Sequence, residues 1–164
     1  MTATLESNET RPVEESAPFQ SLMRFYGAEG RYSASNDPVD RTALLDTLHP
    51  EIVLYQPESL PYGGVWRGRE AFGKWLDAFV QTWTSITPTD PVFYSCGNDV
   101  LISTVTMRAS ARSTGAEIVM PMCQVIQFSN DLPVKWQNFA WDTAKMIDAL
   151  KSAGSVNNAR GAAG

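Results

Sequence analysis

The segment VLISTVTMRASARSTGAEIVMPMCQVIQF, residues 100–128, contains two long runs of β-forming residues separated by Thr114 and Gly115. Two-residue turns that contain glycine favour a β-hairpin, so the segment predicts strands over 100–111 and 117–128. A hairpin of this length predicts the centre of a sheet. The rest of the chain is then expected to pack against one of its two faces.

The predicted hairpin has one apolar face and one mixed face. A two-residue turn would pair Arg112 with Glu117, which places opposite charges across the strands. Apart from Gln124, the face predicted to line the core is apolar: Val105, Met107, Ala109, Ala111, Ile118, Met120 and Met122. The apolar members of the other, convex face indicate that a second copy of the chain covers it in a homodimer; they are Val119, Cys123 and Val125.

Composition restricts the class of protein. The chain has 164 residues, a length that fits one domain. Its net charge of -5 and its scattered basic residues argue against nucleic acid or an anionic membrane as a partner. No apolar run approaches the roughly 20 residues needed to span a bilayer, and the N-terminus has no signal-peptide pattern.

The cysteine and histidine content predicts no metal site, and the lack of a phosphate-cradling motif predicts no cofactor. Cys96 and Cys123 lack metal-binding spacing, and we interpret them as reduced, buried side chains of a cytoplasmic protein. His49 is the single histidine, so a histidine-rich site cannot form. It precedes a proline at a predicted helix end, where a capping or surface role is expected.

The chain divides into three parts. Residues 1–18 are rich in Thr, Glu, Ser and Pro and predict a disordered segment, and residues 152–164 predict a flexible tail. Residues 19–151 form the predicted domain. Its apolar spacing and capping signals predict helices over 19–32, 38–48, 68–83 and 144–150. Besides the hairpin, strands are predicted over 52–56, 92–95 and 134–141, with a loop over 58–67.

Two segments carry a resemblance to a known family. YQPESLPYGGVWRGREAFGKWLDAF, residues 55–79, resembles the strand, loop and helix start of ketosteroid isomerases and SnoaL-like polyketide cyclases. MPMCQVIQFSNDLPVKWQNFAWDTAKMIDAL, residues 120–150, resembles their last two strands and closing segment. The resemblance implies the nuclear-transport-factor-2-like α+β fold. In this fold a cone-shaped, curved, mixed or antiparallel sheet packs with three helices of the N-terminal half around an apolar pocket, and a short helix ends the chain.

The resemblance also implies site residues. The general-base aspartate of the family corresponds to Gln56, and its oxyanion-stabilising acid corresponds to Gln124. Its tyrosine donor corresponds to Phe25 or Tyr26, and its pocket tryptophan corresponds to Trp141. Because an amide cannot exchange protons near neutral pH, the two glutamines argue against steroid-type isomerisation. They either hydrogen-bond a substrate in the cavity or satisfy the backbone and each other.

Other side chains are candidates for the catalytic role or for the pocket wall. Asp142 is either a general base or the N-cap of the last helix, and Glu58 either folds over the pocket mouth as a base or lies in solvent. Tyr32 and Tyr55 are further candidate phenol donors, or core aromatics. The predicted substrate-binding wall consists of Leu54, Trp75, Phe79, Met107, Met120, Met122, Phe139 and Trp141.

These patterns support three hypotheses for function. The first is a cofactor-independent enzyme that cyclises or isomerises a small apolar polyketide-like or terpenoid-like substrate. The second is a non-catalytic module that binds such a molecule. The third, an epoxide hydrolase, requires an Asp-Arg-Asp cluster inside the cone, and it is disfavoured because Arg108 and Arg112 fall on the opposite face.

Overall fold

The computed structural model describes residues 12–151. A short 3-10 helix, Val13–Glu15, precedes the first α-helix. Within the described residues the α-helices are α1 (Ala17–Ser35), α2 (Pro38–Asp46), α3 (Arg69–Thr82) and α4 (Thr143–Leu150). The strands are β1 (Val53–Gln56), β2 (Gly64–Arg67), β3 (Trp83–Cys96), β4 (Val100–Ala111), β5 (Glu117–Ser129) and β6 (Leu132–Ala140).

The strands form one open, mixed sheet in the order β2-β1-β6-β5-β4-β3. Neighbouring strands run antiparallel except β1 and β6, which run parallel. Helices α1 and α3 pack against one face of this sheet and enclose the core with it. The predicted cone-shaped α+β fold is confirmed.

Helix α1 is attached to the sheet by an aromatic cluster. Leu22, Phe25 and Ala28 are buried at intervals of three residues, so they share one face of the helix. The ring of Phe25 lies 5.0 Å from that of Trp136 on β6 and 5.9 Å from that of Phe72 on α3. One cluster therefore joins both helices to the sheet, and burial of these side chains supplies much of the hydrophobic stabilisation there.

The predicted β4–β5 hairpin is present with a different register. Glu117 pairs with Ser110, not with Arg112. The connection is longer than two residues, and it is closed by a hydrogen bond from Ala111 N to Ala116 O at 2.8 Å. The shift amounts to two residues, so every side chain keeps its predicted face. The buried members of the apolar face include Met107, Ala109, Ile118 and Met120.

Strand β3 is much longer than the predicted segment 92–95. Pro88 and Pro91 obscure it in the sequence, because proline cannot donate a hydrogen bond inside a sheet. Here they lie on a strand at the edge of the sheet, where one side needs no partner. Two irregularities in the pairing with β4 accompany them, with Ser85 and Asp90 in left-handed backbone conformations.

The predicted loop 58–67 contains β2 and a fixed turn. Leu60 and Tyr62 are buried in this segment. The indole Nε1 of Trp83 donates to Tyr62 Oη at 2.9 Å, which ties the turn to the start of β3. Strand β2 was missed because it is only four residues long and begins at the glycine pair of the turn.

The ends of the domain differ slightly from the prediction. Ser16 caps α1 by accepting from Phe19 N at 3.3 Å, so the helix begins at Ala17, inside the segment predicted as disordered. The remainder of that segment, residues 1–11, and the predicted tail, 152–164, lie outside the described residues. No helix between residues 12 and 151 is long and apolar enough to cross a membrane.

A glycine-to-alanine pair tests the turn before β2. A Cβ at Gly63 would overlap the carbonyl oxygen of Pro57 and the backbone of Glu58. We expect Gly63→Ala to lower the free energy of unfolding by about 1–3 kcal/mol, as overpacked sites do. Urea denaturation measures the change.

Gly30→Ala is the matched control. A Cβ at Gly30, inside α1, would meet no atom within 4 Å. The same substitution should therefore stabilise the protein by roughly 0.5–1 kcal/mol through helix propensity. Equal effects at the two positions would contradict the close packing of the turn.

Candidate functional site

A cavity of about 600 Å³ lies between α1, α3 and the inner face of the sheet. This volume is in the range of small-molecule sites. Of the predicted wall residues, Leu54, Trp75, Phe79, Met107 and Met122 line it. Met120 is fully buried in the core and does not border the cavity. The cavity walls are mostly apolar, so they fit a largely apolar ligand.

Two predicted wall residues, Phe139 and Trp141, lie on the other face of the sheet. Their side chains are 51% and 84% exposed. Gln124 pairs with Asn138, and directly opposed residues of an antiparallel pair share a face. The inward residues of β6 are therefore Trp136, Asn138 and Ala140.

The tryptophan that the last strand contributes to the pocket is therefore Trp136, not Trp141. Val119, Phe139 and Trp141 are exposed on the outer face. The homodimer contact through this face stays a prediction.

A row of polar side chains crosses the inner face of the sheet. Ser103 on β4 pairs with Gln124 on β5, which pairs with Asn138 on β6. Gln56 on β1 is one residue beyond Tyr55, the partner of Gln137, so it lies level with Asn138. We call Ser103, Gln124, Asn138 and Gln56 the polar row. All four border the cavity.

Trp136 determines the direction of the hydrogen bonds in the polar row. Its indole N–H, which can only donate, lies 3.2 Å from Asn138 Oδ1. The same oxygen accepts from Gln124 Nε2 at 2.9 Å. Gln124 Oε1 then accepts from Tyr26 Oη at 3.2 Å and from Ser103 Oγ at 3.0 Å. The amide of Gln124 is therefore held by the protein at both ends.

The same bonds change the predicted role of Tyr26. Its single hydroxyl proton is already donated to Gln124. Burial, together with the nearby Glu29 charge, raises the pKa of Tyr26 well above its usual range, so the phenol stays protonated. Tyr26 orients Gln124. It can offer the cavity an acceptor oxygen, but its proton becomes available only if the bond to Gln124 breaks.

Gln56 has the opposite environment to Gln124. Its side chain is 8% exposed, borders the cavity and makes no hydrogen bond to another described residue. Its neighbour Asn138 also has an amide nitrogen with no acceptor among those residues, because only Asn138 Oδ1 is engaged. Both amides reach the cavity space, because Trp75 Nε1 is the one fully buried side-chain polar atom without a partner among the described residues. The two amides therefore form a donor pair suited to a ligand oxygen.

Glu29 is a site residue that the sequence analysis missed. It lies in the cavity wall one helical turn beyond Tyr26 on α1. No hydrogen bond or ion pair with another described residue holds its carboxyl group, and burial raises its pKa to about 7. Tyr26, Glu29 and Tyr62 are the titratable residues of the cavity wall in the described chain, and this wall contains no Lys, Arg or His.

A sequence signal for Glu29 exists. Leu22, Phe25 and Tyr26 define the inward stripe of α1, and Glu29 continues it at the next turn. A single carboxylate on an otherwise apolar stripe is the detectable feature. It is easily taken for the solvent-facing end of an amphipathic helix.

The other predicted candidates lie outside the cavity. Asp142 caps α4 by accepting from Lys145 N at 3.0 Å. Glu58 is exposed. The ring of Tyr55 faces outward, with Lys135 Nζ 5.5 Å from its centre. His49 Nδ1 accepts from Glu51 N at 3.1 Å in the turn before β1.

Tyr32, Arg108 and Arg112 also lie outside the cavity. Of the two cysteines predicted to be buried, Cys96 is exposed and Cys123 is half-buried. Tyr32 packs against the hydrophobic core without bordering the cavity. Arg108 is exposed, and Arg112 donates to the carbonyl oxygen of Val80 at 2.9 Å. The Asp-Arg-Asp cluster of an epoxide hydrolase is therefore not formed by the residues that line the cavity in the described chain.

Glu29→Gln tests the buried carboxyl group. Burial raises the pKa of Glu29 from 4.5 to about 7, so the folded protein binds the proton more tightly than the unfolded chain does. Glu29 therefore favours folding most below pH 4.5, and wild-type stability falls as the pH rises toward 7. At pH about 8 the variant should be more stable by at most about 3 kcal/mol.

The gain should disappear at pH about 4, where Glu29 is neutral in both states. Urea denaturation of wild type and variant at the two pH values measures this difference. A gain of the same size at both pH values would contradict a buried, ionising carboxyl group.

Comparison with known proteins agrees with this architecture. Residues 28–136 match the SnoaL-like domain, so the chain belongs to the SnoaL-like family. No curated protein is similar enough in sequence to match the chain.

Solved structures share the fold at low sequence identity. An NTF2-like protein from Burkholderia xenovorans LB400 is 18% identical, with a TM-score of 0.71 over 82% of this chain and 96% of its own. TerC, co-crystallised with polyporic acid, is 17% identical, with a TM-score of 0.66 over 84% and 100% of the two chains. A candidate polyketide cyclase from Xanthomonas campestris pv. campestris is 15% identical, with a TM-score of 0.65 over 82% and 97%. These likenesses show the NTF2-like fold, and the predicted SnoaL-like family is confirmed by the family match.

Proposed function

We propose that this protein is a small-molecule enzyme that cyclises or isomerises a largely apolar, polyketide-like or terpenoid-like substrate without a metal or redox cofactor. The observation that carries the proposal is an apolar cavity whose polar groups are concentrated in the polar row and on the facing side of α1. Such a cavity can bind a hydrocarbon skeleton in one folded conformation and hydrogen-bond a single oxygenated position.

The donor pair of Gln56 and Asn138 supports the polarisation of a substrate carbonyl. Both amide nitrogens are free of acceptors among the described residues, and they lie level on adjacent strands. Strands are about 4.8 Å apart, so two such donors can approach one oxygen from both sides. Donors fixed in a poorly solvated site stabilise negative charge that develops on the oxygen.

Family membership supports a small-molecule role, but the fold accommodates many chemistries. Among the structural neighbours, a protein from Xanthomonas campestris carries the name of a polyketide cyclase, and TerC was crystallised with polyporic acid. The alternative function is a non-catalytic binding module. The amides at positions 56 and 124 favour it, because the family resemblance implies acids there. A titratable carboxyl group in the cavity wall favours the enzyme.

Nile red, a neutral apolar dye that carries a ring carbonyl, tests the binding site. We expect fluorescence titration to show binding by the wild type and about tenfold weaker binding by Gln56→Ala, which loses one hydrogen bond. Gln137→Ala is the matched control, since it removes an amide from the opposite face of the same sheet. Equal binding by all three proteins would contradict the assigned site.

Turnover is tested with the small molecules that the protein retains through purification. Mass spectrometry identifies them, and each is then returned to fresh protein. Isomerisation keeps the mass and changes the chromatographic retention, whereas a dehydrating cyclisation removes one water. Compounds that return unaltered would support the binding-module alternative.

A further inference from the structure

We propose that Glu29 is the proton-transferring group of this site and that its substrates are neutral carbonyl compounds with a C–H bond next to the carbonyl carbon. The proposal rests on the proposed function and deepens it, because it names the reacting group and the substrate class. The amides at the two expected acid positions leave that chemistry unassigned, and Glu29 reaches the same cavity from the helix side.

The geometry of α1 places Glu29 opposite the polar row. Tyr26 Oη lies 3.2 Å from Gln124 Oε1, which fixes this part of the helix over the middle of the row. Residues three apart on a helix are neighbours on one face, so Glu29 follows Tyr26 along the cavity wall. The sheet therefore supplies amide donors and the helix supplies a carboxylate, with the apolar volume between them.

Glu29 is free to accept a proton. Its carboxyl group is not engaged by another described residue, whereas Asp142 caps a helix and Asp46 pairs with Arg69 at 2.8 Å. Its pKa near 7 lets both forms exist close to neutral pH, as a group that takes and returns protons requires. Tyr26 and Tyr62, which also line the cavity, remain protonated there, because burial raises the pKa of both.

The proposed reaction begins with proton abstraction. The Glu29 carboxylate takes a proton from the carbon next to the carbonyl, and the C–H electron pair forms a C=C bond while the carbonyl π pair moves to oxygen. The enolate oxygen accepts hydrogen bonds from the Gln56 and Asn138 amides. In an isomerisation the substrate also carries a C=C bond beside the deprotonated carbon, so a dienolate forms; Glu29 returns the proton to the far carbon of that bond, the C=C bond shifts by one position, and the carbonyl re-forms. In a cyclisation, the enolate carbon attacks a second carbonyl, a C–C bond forms, and Glu29 protonates the new alkoxide.

The charge of the cavity restricts the substrate class. No Lys, Arg or His lines the cavity in the described chain, so an anionic substrate would meet Glu29 without a compensating cation. Neutral ketones, diketones and similar compounds avoid this repulsion. The cavity of about 600 Å³ sets an upper limit on the part of the molecule that enters.

The test uses 5-nitrobenzisoxazole, a neutral probe that reports on carboxylate bases in apolar sites. A base removes its ring C–H proton, the C–H electron pair forms the nitrile, the N–O bond breaks, and a coloured phenolate is released. In wild-type protein we expect kcat to rise with pH through a midpoint near 7, where Glu29 becomes ionised. Glu29→Gln should lose that step and lower kcat by about 100-fold or more while KM changes little.

Two control variants and a binding measurement show whether a loss of activity is due to Glu29 itself. Glu51→Gln, which removes an exposed carboxylate from the turn before β1, should keep the wild-type kcat and pH profile. Glu29→Asp should recover part of the activity. Quenching of tryptophan fluorescence reports probe binding independently of turnover.

Failure of the proposal for Glu29 can be distinguished from failure of the proposed function. Bound probe with a kcat that Glu29→Gln does not change would overturn the role of Glu29 and leave the proposed function standing. Wild-type protein that does not bind the probe would overturn the open apolar site, and with it both proposals.

Discussion

The indole of Trp136 both joins the helices to the sheet and orients the polar side chains on the inner face of the sheet. Its ring lies 5.0 Å from Phe25 and 6.3 Å from Phe72, so it joins α1 and α3 to the sheet. Its N–H can donate but cannot accept, and this restriction fixes the orientation of two amides and two hydroxyl groups on the inner face. Buried polar networks are costly when they are only partly satisfied. Here Gln124 is bonded at both ends of its amide, and the amide nitrogens of Gln56 and Asn138, which have no acceptor among the described residues, border the cavity.

Much of the fold can be predicted from hydrophobic periodicity, which assigns side chains to the correct face even when the predicted strand register is slightly wrong. The β4–β5 hairpin keeps its faces after a two-residue shift because side chains alternate with a period of two. Helix α3 buries Phe72, Trp75 and Leu76 at the spacing that the sequence shows. Strand β6 shows the limit of this approach. Alternation along a single strand does not establish which of its faces points inward, so an error of one residue places Trp141 in the pocket instead of Trp136.

The site was less predictable than the fold, because its character depends on which groups lack partners. Gln56 and Gln124 appear equivalent in the sequence, yet within residues 12–151 only the side chain of Gln124 is held by other side chains. Glu29 lies where burial costs stability, and a carboxylate whose cavity wall contains no cation in the described part of the chain is typical of functional sites. No local sequence pattern reveals the stability lost by burying the carboxyl group of Glu29. That burial is known only once α1 is packed against the sheet.

The prolines of β3 have a consequence beyond their effect on strand prediction. An edge strand presents unpaired N–H and C=O groups that another chain can join, and sheets that extend in this way lead to aggregation. Pro88 and Pro91 remove two backbone donors from this edge, and the irregular pairing at Asp90 distorts it further. The open sheet thus ends in a strand that is poorly suited to continue into a neighbouring molecule.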